Sequence, residues 1–342
     1  MARRNSALAW ASHWQRALTS LTRGALAASG SAMSTGRRAT TQSLRSAVSV
    51  RAPPAGAGDW IAGAAIGPAG RRRYRLFRPP GVLSSERLPL LVMLHGCGQD
   101  ANRFATSTRM NRIALRERFL VLYPEQDRLA NAQGCWNWFE TASGRAFGEA
   151  ALIIAAIDQV CRLYPVDPQR VAVAGLSAGA SMAALLVTRA PERFKAVAMH
   201  SGVPPGTAHT GLSAVGAMHG RRPTAPLDVN PATMAASWPP LLVIHGDADP
   251  VVSAQNGRLA VEAWAQAAGA LAGKPRRVQR GQRHPMTITD FRCDGDTVAT
   301  LVEVSRLGHA WSGGAPGQAF GDAHGPDASR LIWAFARRQF GV

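Results

Sequence analysis

An α/β fold, built as a doubly wound and mostly parallel sheet with helices on both faces, is predicted by three features of the sequence. Short, continuous apolar runs recur along it: LPLLVML at 88–94, FLVLY at 119–123, RVAVA at 170–174, AVAMH at 196–200 and LLVIH at 241–245. Segments of helical periodicity fall between these runs, and loops bearing glycine, proline or polar residues separate the two kinds. Unbroken apolar runs of this length suit strands buried on both faces of a parallel sheet, and their alternation with helices is the mark of βαβ units.

Taken in order, the first 58 residues stand apart, holding eight arginines and no acidic residue before Asp59. Residues 1–58 are therefore expected to be a basic extension and 59–342 the α/β domain. Within the extension Leu8, Trp10, Trp14, Leu18 and Leu21 recur at spacings of two to four, which suits an amphipathic helix lying on a membrane or a hydrophobic granule; a disordered tail is the plainer expectation. Arg3 and Arg4 ahead of an apolar stretch have the charge pattern of an export signal, but His13, Trp14, Gln15 and Arg16 cut that stretch short. Pro53, Pro54 and the glycines between 56 and 70 read as a linker or entry loop.

The domain begins with RRRYRLFR at 71–78, expected as an edge strand with its arginines on the wet face. Helices are expected over 146–164, 178–189, 253–268 and 326–340, the last with Asp327 near its start. Asp294-Gly295 between two strand-like stretches, 289–293 and 297–304, predicts a hairpin turn. Residues 203–238, rich in Gly, Pro, Ala and His and without clear periodicity, are expected to be a lid or surface insertion.

Composition narrows the classes further. At 46% hydrophobic and 18% charged, the chain has material for a core and is not disordered throughout. The net charge of +18, from 39 Lys plus Arg against 21 Asp plus Glu, invites a polyanion partner. Only Lys195 and Lys274 are lysines, however, and an arginine excess among so many Ala and Gly points to overall composition, so no specific nucleic-acid partner is expected. No window of 18 apolar residues is present, and a spanning helix is not expected. The four cysteines include no CxxC and no Cys/His ligand spacing, so no metal site is indicated.

The chemistry centres on Gly175-Leu176-Ser177-Ala178-Gly179, which directly follows one apolar strand and directly precedes a helix. A sharp strand-to-helix turn needs glycines where side chains would clash, and it raises the Ser177 hydroxyl above the sheet beside a helix N-terminus. Such a hydroxyl needs a base, and the base needs an acid to fix its tautomer. His245-Gly246-Asp247-Ala248-Asp249-Pro250 and Gly308-His309-Ala310-Trp311 each follow a strand, placing them at the sheet's carboxyl edge, where ligands bind. His309 is the candidate base. His200 and His245 end strands and read as structural, as does His95. Between Asp247 and Asp249 the residues alone do not choose. For the oxyanion, one donor is the amide of Ala178 and the second the amide of Cys97, in the glycine-bearing loop His95-Gly96-Cys97-Gly98.

Six motifs, LHGCGQ, GCWNWF, GLSAGASMA, HGDADPVV, GHAWSGG and GPDASR, in this order, make residues 71–340 resemble the polyhydroxybutyrate (PHB) depolymerase family of esterases. The resemblance implies an α/β-hydrolase fold, a cofactor-free Ser-His-Asp mechanism on Ser177, His309 and, because the second acid of the turn is the one carried over, Asp249. It implies an ester substrate, with 3-hydroxyalkanoate oligo- or polyesters first. Feruloyl and acetylxylan esterases belong to the same family, so plant cell-wall esters come second. The chain ends after its closing helix, without the polymer-binding module of secreted depolymerases, so soluble oligomers, amorphous granules or small acyl esters are expected rather than crystalline polymer. In the implied fold Cys135 falls near the Cys97 loop, so the two either form a disulfide or remain buried thiols. Trp136, Trp138 and Trp311 are candidates for the wall of an acyl cleft. The family implies an extracellular enzyme, while the ill-formed signal favours a cytoplasmic, granule-associated one. A binding protein without catalysis, held to granules or polyanions by its basic arm, is the reading from another class.

Overall fold

The structure, a computed structural model, describes residues 56–224 and 238–341. The amphipathic or disordered extension, the export signal and Pro53-Pro54 all lie outside the described residues, as does 225–237 of the expected lid. Among the described residues no helix is long and apolar enough to cross a membrane.

The strands run β1 (Asp59–Gly67), β2 (Gly70–Arg78), β3 (Leu88–Leu94), β4 (Leu120–Pro124), β5 (Val166–Leu176), β6 (Ala196–His200), β7 (Leu241–Gly246), β8 (Leu271–Ala272), β9 (Arg276–Val278), β10 (Met286–Cys293) and β11 (Asp296–Val304). They form one sheet in the order β1-β2-β4-β3-β5-β6-β7-β11-β10-β8, with β9 also paired to β10. From β4 through β3, β5, β6 and β7 to β11 every pairing is parallel, while β1, β2 and β10 add antiparallel flanks. Two short strands, β12 (Trp311–Ser312) and β13 (Gly321–Asp322), pair apart from it.

Helices cover both faces. On one lie α1 (Ala101–Thr108), α2 (Met110–Glu117) and, late in the chain, α7 (Ala328–Gln339), whose Phe104, Ile113, Trp333 and Phe335 pack on the even-numbered residues Ala172, Ala174, Leu242 and Ile244 of the central strands. Trp333 stacks on Phe119 with ring centroids 3.7 Å apart, which ties the closing helix to the start of β4. On the other face lie α3 (Arg145–Leu163), α4 (Ala178–Arg189) and α6 (Gln255–Ala268). There Gly257 of α6 faces Val243 and His245, the odd-numbered side of β7. Side chains of β7 thus point alternately into two cores, and the unbroken apolar run follows from that.

Two expectations change. The strand at 71–78 is second from the edge, because residues 59–67, read from sequence as part of a linker or entry loop, form β1 and pair with β2 along its whole length. Gly63 of β1 leaves room for the Tyr74 ring opposite, since a Cβ there would sit 2.2 Å from the ring. The insertion at 203–238 contains α5 (Gly211–Met218). Its start is fixed by a reciprocal cap between Thr210 and Ser213, and Ala214, Ala217 and Met218 anchor it. The closing helix starts as expected at Asp327, whose carboxylate accepts from the Arg330 amide.

Candidate active site

Ser177 is the single residue between the end of β5 and the start of α4. Its backbone takes φ 56° and ψ −123°, a region that L-residues avoid and that is held at a cost of ~1–3 kcal/mol by the structure around it. The flanking glycines explain how the turn closes. A Cβ on Gly175 would lie 2.3 Å from the Gly179 carbonyl group, and one on Gly179 would lie 2.2 Å from Leu94 O of β3. Helix α4 therefore starts directly against the ends of β5 and β3, with its amide dipoles beneath Ser177.

At the same sheet edge, His309 Nδ1 donates to Asp249 Oδ2 at 2.8 Å. The other Asp249 oxygen accepts from the amides of Val251 and Val252, both at 2.9 Å. Burial by itself raises the Asp249 carboxyl; the hydrogen bond and charge of His309, the charge of His245 and the Val252 amide outweigh it, leaving the group below its ordinary value. It is thus an ionised acceptor that fixes the imidazole with its proton on Nδ1 and its lone pair on Nε2. Asp247 points elsewhere: its Oδ1 accepts from the Arg306 amide at 2.6 Å. No hydrogen bond joins Ser177 Oγ to His309 Nε2 in this structure.

His200 links the two loops. Its carbonyl accepts from the Ser177 amide at 2.9 Å, and its Nε2 accepts from the Ser312 amide, three residues past His309, at 3.0 Å. Trp311 stacks on the same ring at 5.1 Å. Burial, reinforced by the neighbouring His245 and His309, pushes the His200 pKa down to about 3, so the ring stays a neutral acceptor. His245, also lowered by burial, donates through Nε2 to Val252 O at 2.9 Å.

The loop after β3 is braced from several sides. Cys97 and Cys135 form a disulfide, and Gly98 N donates to Gln133 O at 2.9 Å. His95, held neutral by burial with a pKa of about 4, accepts from the Gln126 amide and donates to Gly96 O. Gly96 N and Gln99 N are also engaged, whereas the Cys97 amide donates to no acceptor among the described residues. Behind the loop lies a buried polar network that the sequence did not disclose. Glu149 of α3 accepts from Gln126 Nε2 at 2.7 Å, Asn137 Nδ2 at 2.6 Å and Asn137 N at 3.0 Å. Arg72 donates to Gln126 and lies over the Trp136 ring. One signal for it existed: Glu149 falls among Ala146, Ala150, Ile153 and Ile157 on the apolar side of its helix.

The tryptophans differ from expectation. Trp136 and Trp311 are completely buried, and their indole N–H groups donate to His95 O and Ser329 Oγ. With no surface to offer a ligand they brace the loops, because an indole that has found both a polar partner and a packed cavity gains most by staying inside. Trp138 is nearly buried, edge-on to Phe139. Cys161 and Cys293 are free thiols.

The disulfide has a measurable role. Replacing Cys97 and Cys135 together with serine frees a chain segment with a sequence separation of 38, for which loss of the cross-link is expected to cost about 2–4 kcal/mol. Thermal unfolding with and without dithiothreitol checks this: the wild-type midpoint should fall in reductant to that of the double variant, whose own midpoint should not move. A wild-type midpoint indifferent to reductant would show that the bond contributes nothing to stability.

The chain is similar to known esterases and depolymerases. The poly(3-hydroxyalkanoate) depolymerase C of Paucimonas lemoignei is 38% identical over 117 residues, 34% of this chain and 28% of that protein. Feruloyl esterase B of Neurospora crassa is 34% identical over 116 residues, 33% of this chain and 39% of that protein. The chain thus spans well under half the length of these curated relatives. Among solved structures, an acetyl xylan esterase from Aspergillus awamori superposes with a TM-score of 0.62 at 20% identity, over 74% of this chain and 94% of that one, a likeness of fold. The model of the family Esterase PHB depolymerase matches residues 72–280, and the chain belongs to that family.

Proposed function

We propose that this protein is a serine esterase that hydrolyses carboxylic esters, with 3-hydroxyalkanoate oligo- or polyesters as its substrate class. The observation that carries the reading is the buried His309–Asp249 hydrogen bond of 2.8 Å at the sheet edge that bears the strained Ser177 turn. His309 Nε2 takes the Ser177 proton as Oγ attacks the ester carbonyl carbon. The amides of Ala178 and Cys97 receive the oxyanion. Collapse of the tetrahedral adduct breaks the C–O bond, and the proton passes from His309 to the leaving alcohol. Water, deprotonated by His309, then attacks the acyl-enzyme and releases the acid and free Ser177.

Residues 59–342 form the catalytic unit in this reading, and the basic 1–58 segment serves attachment to a granule or membrane surface. The Cys97–Cys135 disulfide favours an oxidising, extracellular setting. The test is a comparison of kcat/KM on 3-hydroxybutyrate oligomers, amorphous polymer, short p-nitrophenyl esters, methyl ferulate and acetylated xylan. The hydroxybutyrate series should be preferred. Preference for ferulate or xylan would move the substrate class to cell-wall esters, and folded protein inactive on every substrate would leave the binding-protein reading.

A further inference from the structure

Away from Ser177, Asp249 and His309, a cleft of about 490 Å³ opens between α2, the end of β9 and the start of α7. Six of its fifteen lining residues are arginines: Arg109, Arg112, Arg116, Arg280, Arg283 and Arg330. The chain as a whole has 39 Lys plus Arg in 342 residues, so the cleft is far richer in cations than composition alone provides. Arg112 and Arg116 of α2 stand at the i, i+4 spacing that shares a helix face, and Arg109 is the left-handed residue that joins α1 to α2. Arg280 and Arg283 come from the segment between β9 and β10, and Arg330 from α7.

Local acids neutralise only part of this set. Arg116 pairs with Glu117 and Arg330 with Asp327. Asp327, the sole acidic residue lining the cleft, is already engaged as the cap of α7. Arg109 and Arg283 donate to backbone carbonyls, of Gly313 and of Gly325 respectively, and so are positioned without being neutralised. Arg112 and Arg280 have neither an acidic partner nor a side-chain hydrogen bond among the described residues. By contrast Arg78, Arg118, Arg170, Arg193 and Arg258 elsewhere on the surface each meet a carboxylate. His284, with a buried Nδ1 that has no hydrogen-bond partner, also lines the cleft.

We propose that this cleft is a binding site for a small oxyanion carrying two or more negative groups, phosphate or carboxylate. Guanidinium groups match both chemistries through paired N–H donors, and the four arginines without an acidic partner among the described residues, Arg109, Arg112, Arg280 and Arg283, leave a repulsion that an anion relieves. The volume is that of a single small-molecule site. The site shares no residue with the proposed catalytic machinery and does not depend on the esterase reading.

The test is calorimetric titration of the purified full chain with tripolyphosphate and with citrate at low ionic strength. Three proteins are compared: the wild type, Arg112→Ala/Arg280→Ala, and Arg71→Ala/Arg73→Ala, which removes the same charge from an exposed part of β2. Wild-type binding should be saturable with one site, weakened about tenfold or more in the cleft variant and little changed in the strand variant. Tighter binding of tripolyphosphate would assign phosphate ligands, and tighter binding of citrate would assign carboxylates. Absence of binding to the wild type, or equal weakening in both variants, would overturn the proposal. Neither Arg112 nor Arg280 holds another part of the fold, so unchanged thermal midpoints should accompany the loss of binding.

Discussion

Replacing Ser177 with alanine should lower kcat on a short p-nitrophenyl ester by about 10⁴-fold or more while leaving the protein folded. The fold uses Ser177 through its backbone: its amide donates to His200 O and its carbonyl accepts from the Ser181 amide and hydroxyl. Its Oγ caps no helix, since α4 has no side-chain cap hydrogen bond at this residue. Alanine keeps the backbone and the Cβ, so the strain at φ 56° stays and the thermal midpoint should barely shift. Ser177→Gly should be equally inactive yet more stable, by about 1 kcal/mol or more, because glycine occupies positive φ without the Cβ penalty. Both readouts are needed, rates from initial velocities and stability from thermal unfolding. Activity of Ser177→Ala within tenfold of wild type would remove Ser177 from the mechanism, whatever the stability shows.

The parts of this fold legible in the sequence are those whose burial pattern is local. LPLLVML, AVAMH and the helix after Ser177 are bounded in the structure as expected, at Leu88–Leu94, Ala196–His200 and Ala178–Arg189, because a strand or helix buried on nearly every side shows itself as an unbroken apolar run. Strand β1 escaped because its sequence, DWIAGAAIG, is rich in small residues. Those residues answer a tertiary demand, such as the Tyr74 ring over Gly63, that only the paired strand supplies. Helix α5 escaped because its cap uses Ser213 where a Glu or Gln would have been a stronger signal.

At the site, sequence order narrows the chemistry to a serine, two acids and one histidine at a sheet edge. The choice of aspartate is a matter of direction. Both acids lie in the turn after β7, and only side-chain geometry sends Asp249 to His309 and Asp247 to the Arg306 amide. The tryptophans show the opposite failure. Aromatic residues beside motif residues suggest a cleft, but whether an indole faces ligand or core depends on partners far away in the chain, here His95 O for Trp136 and Ser329 for Trp311. The polar network under the Cys97 loop draws Arg72, Gln126, Asn137 and Glu149 from four separate segments. Nothing in their spacing could announce it, beyond the one acid on an apolar helix face.

Asp249→Asn should reduce kcat by about 10⁴-fold with little loss of stability, and Asp247→Asn should leave kcat within a few-fold of wild type. An asparagine at 249 can still accept the Val251 and Val252 amides through its carbonyl oxygen, so the turn after β7 stays in place. Its amide nitrogen then faces His309 Nδ1, where the carboxylate oxygen lay 2.8 Å away. Two donors cannot meet, so the imidazole moves its proton to Nε2 and accepts at Nδ1. A ring protonated on Nε2 cannot take the Ser177 proton, and the uncharged amide no longer stabilises the imidazolium formed during attack. The defect should therefore appear in kcat rather than in KM, since substrate contacts are untouched. Asp249→Ala separates the tautomer effect from the loss of charge. It removes the carboxylate without imposing the wrong tautomer, but it also abandons two backbone amides and should lower the thermal midpoint, as Asp249→Asn should not. Equal losses of activity in Asp247→Asn and Asp249→Asn would mean that the turn as a whole, rather than the Asp249 carboxylate on His309, supports hydrolysis.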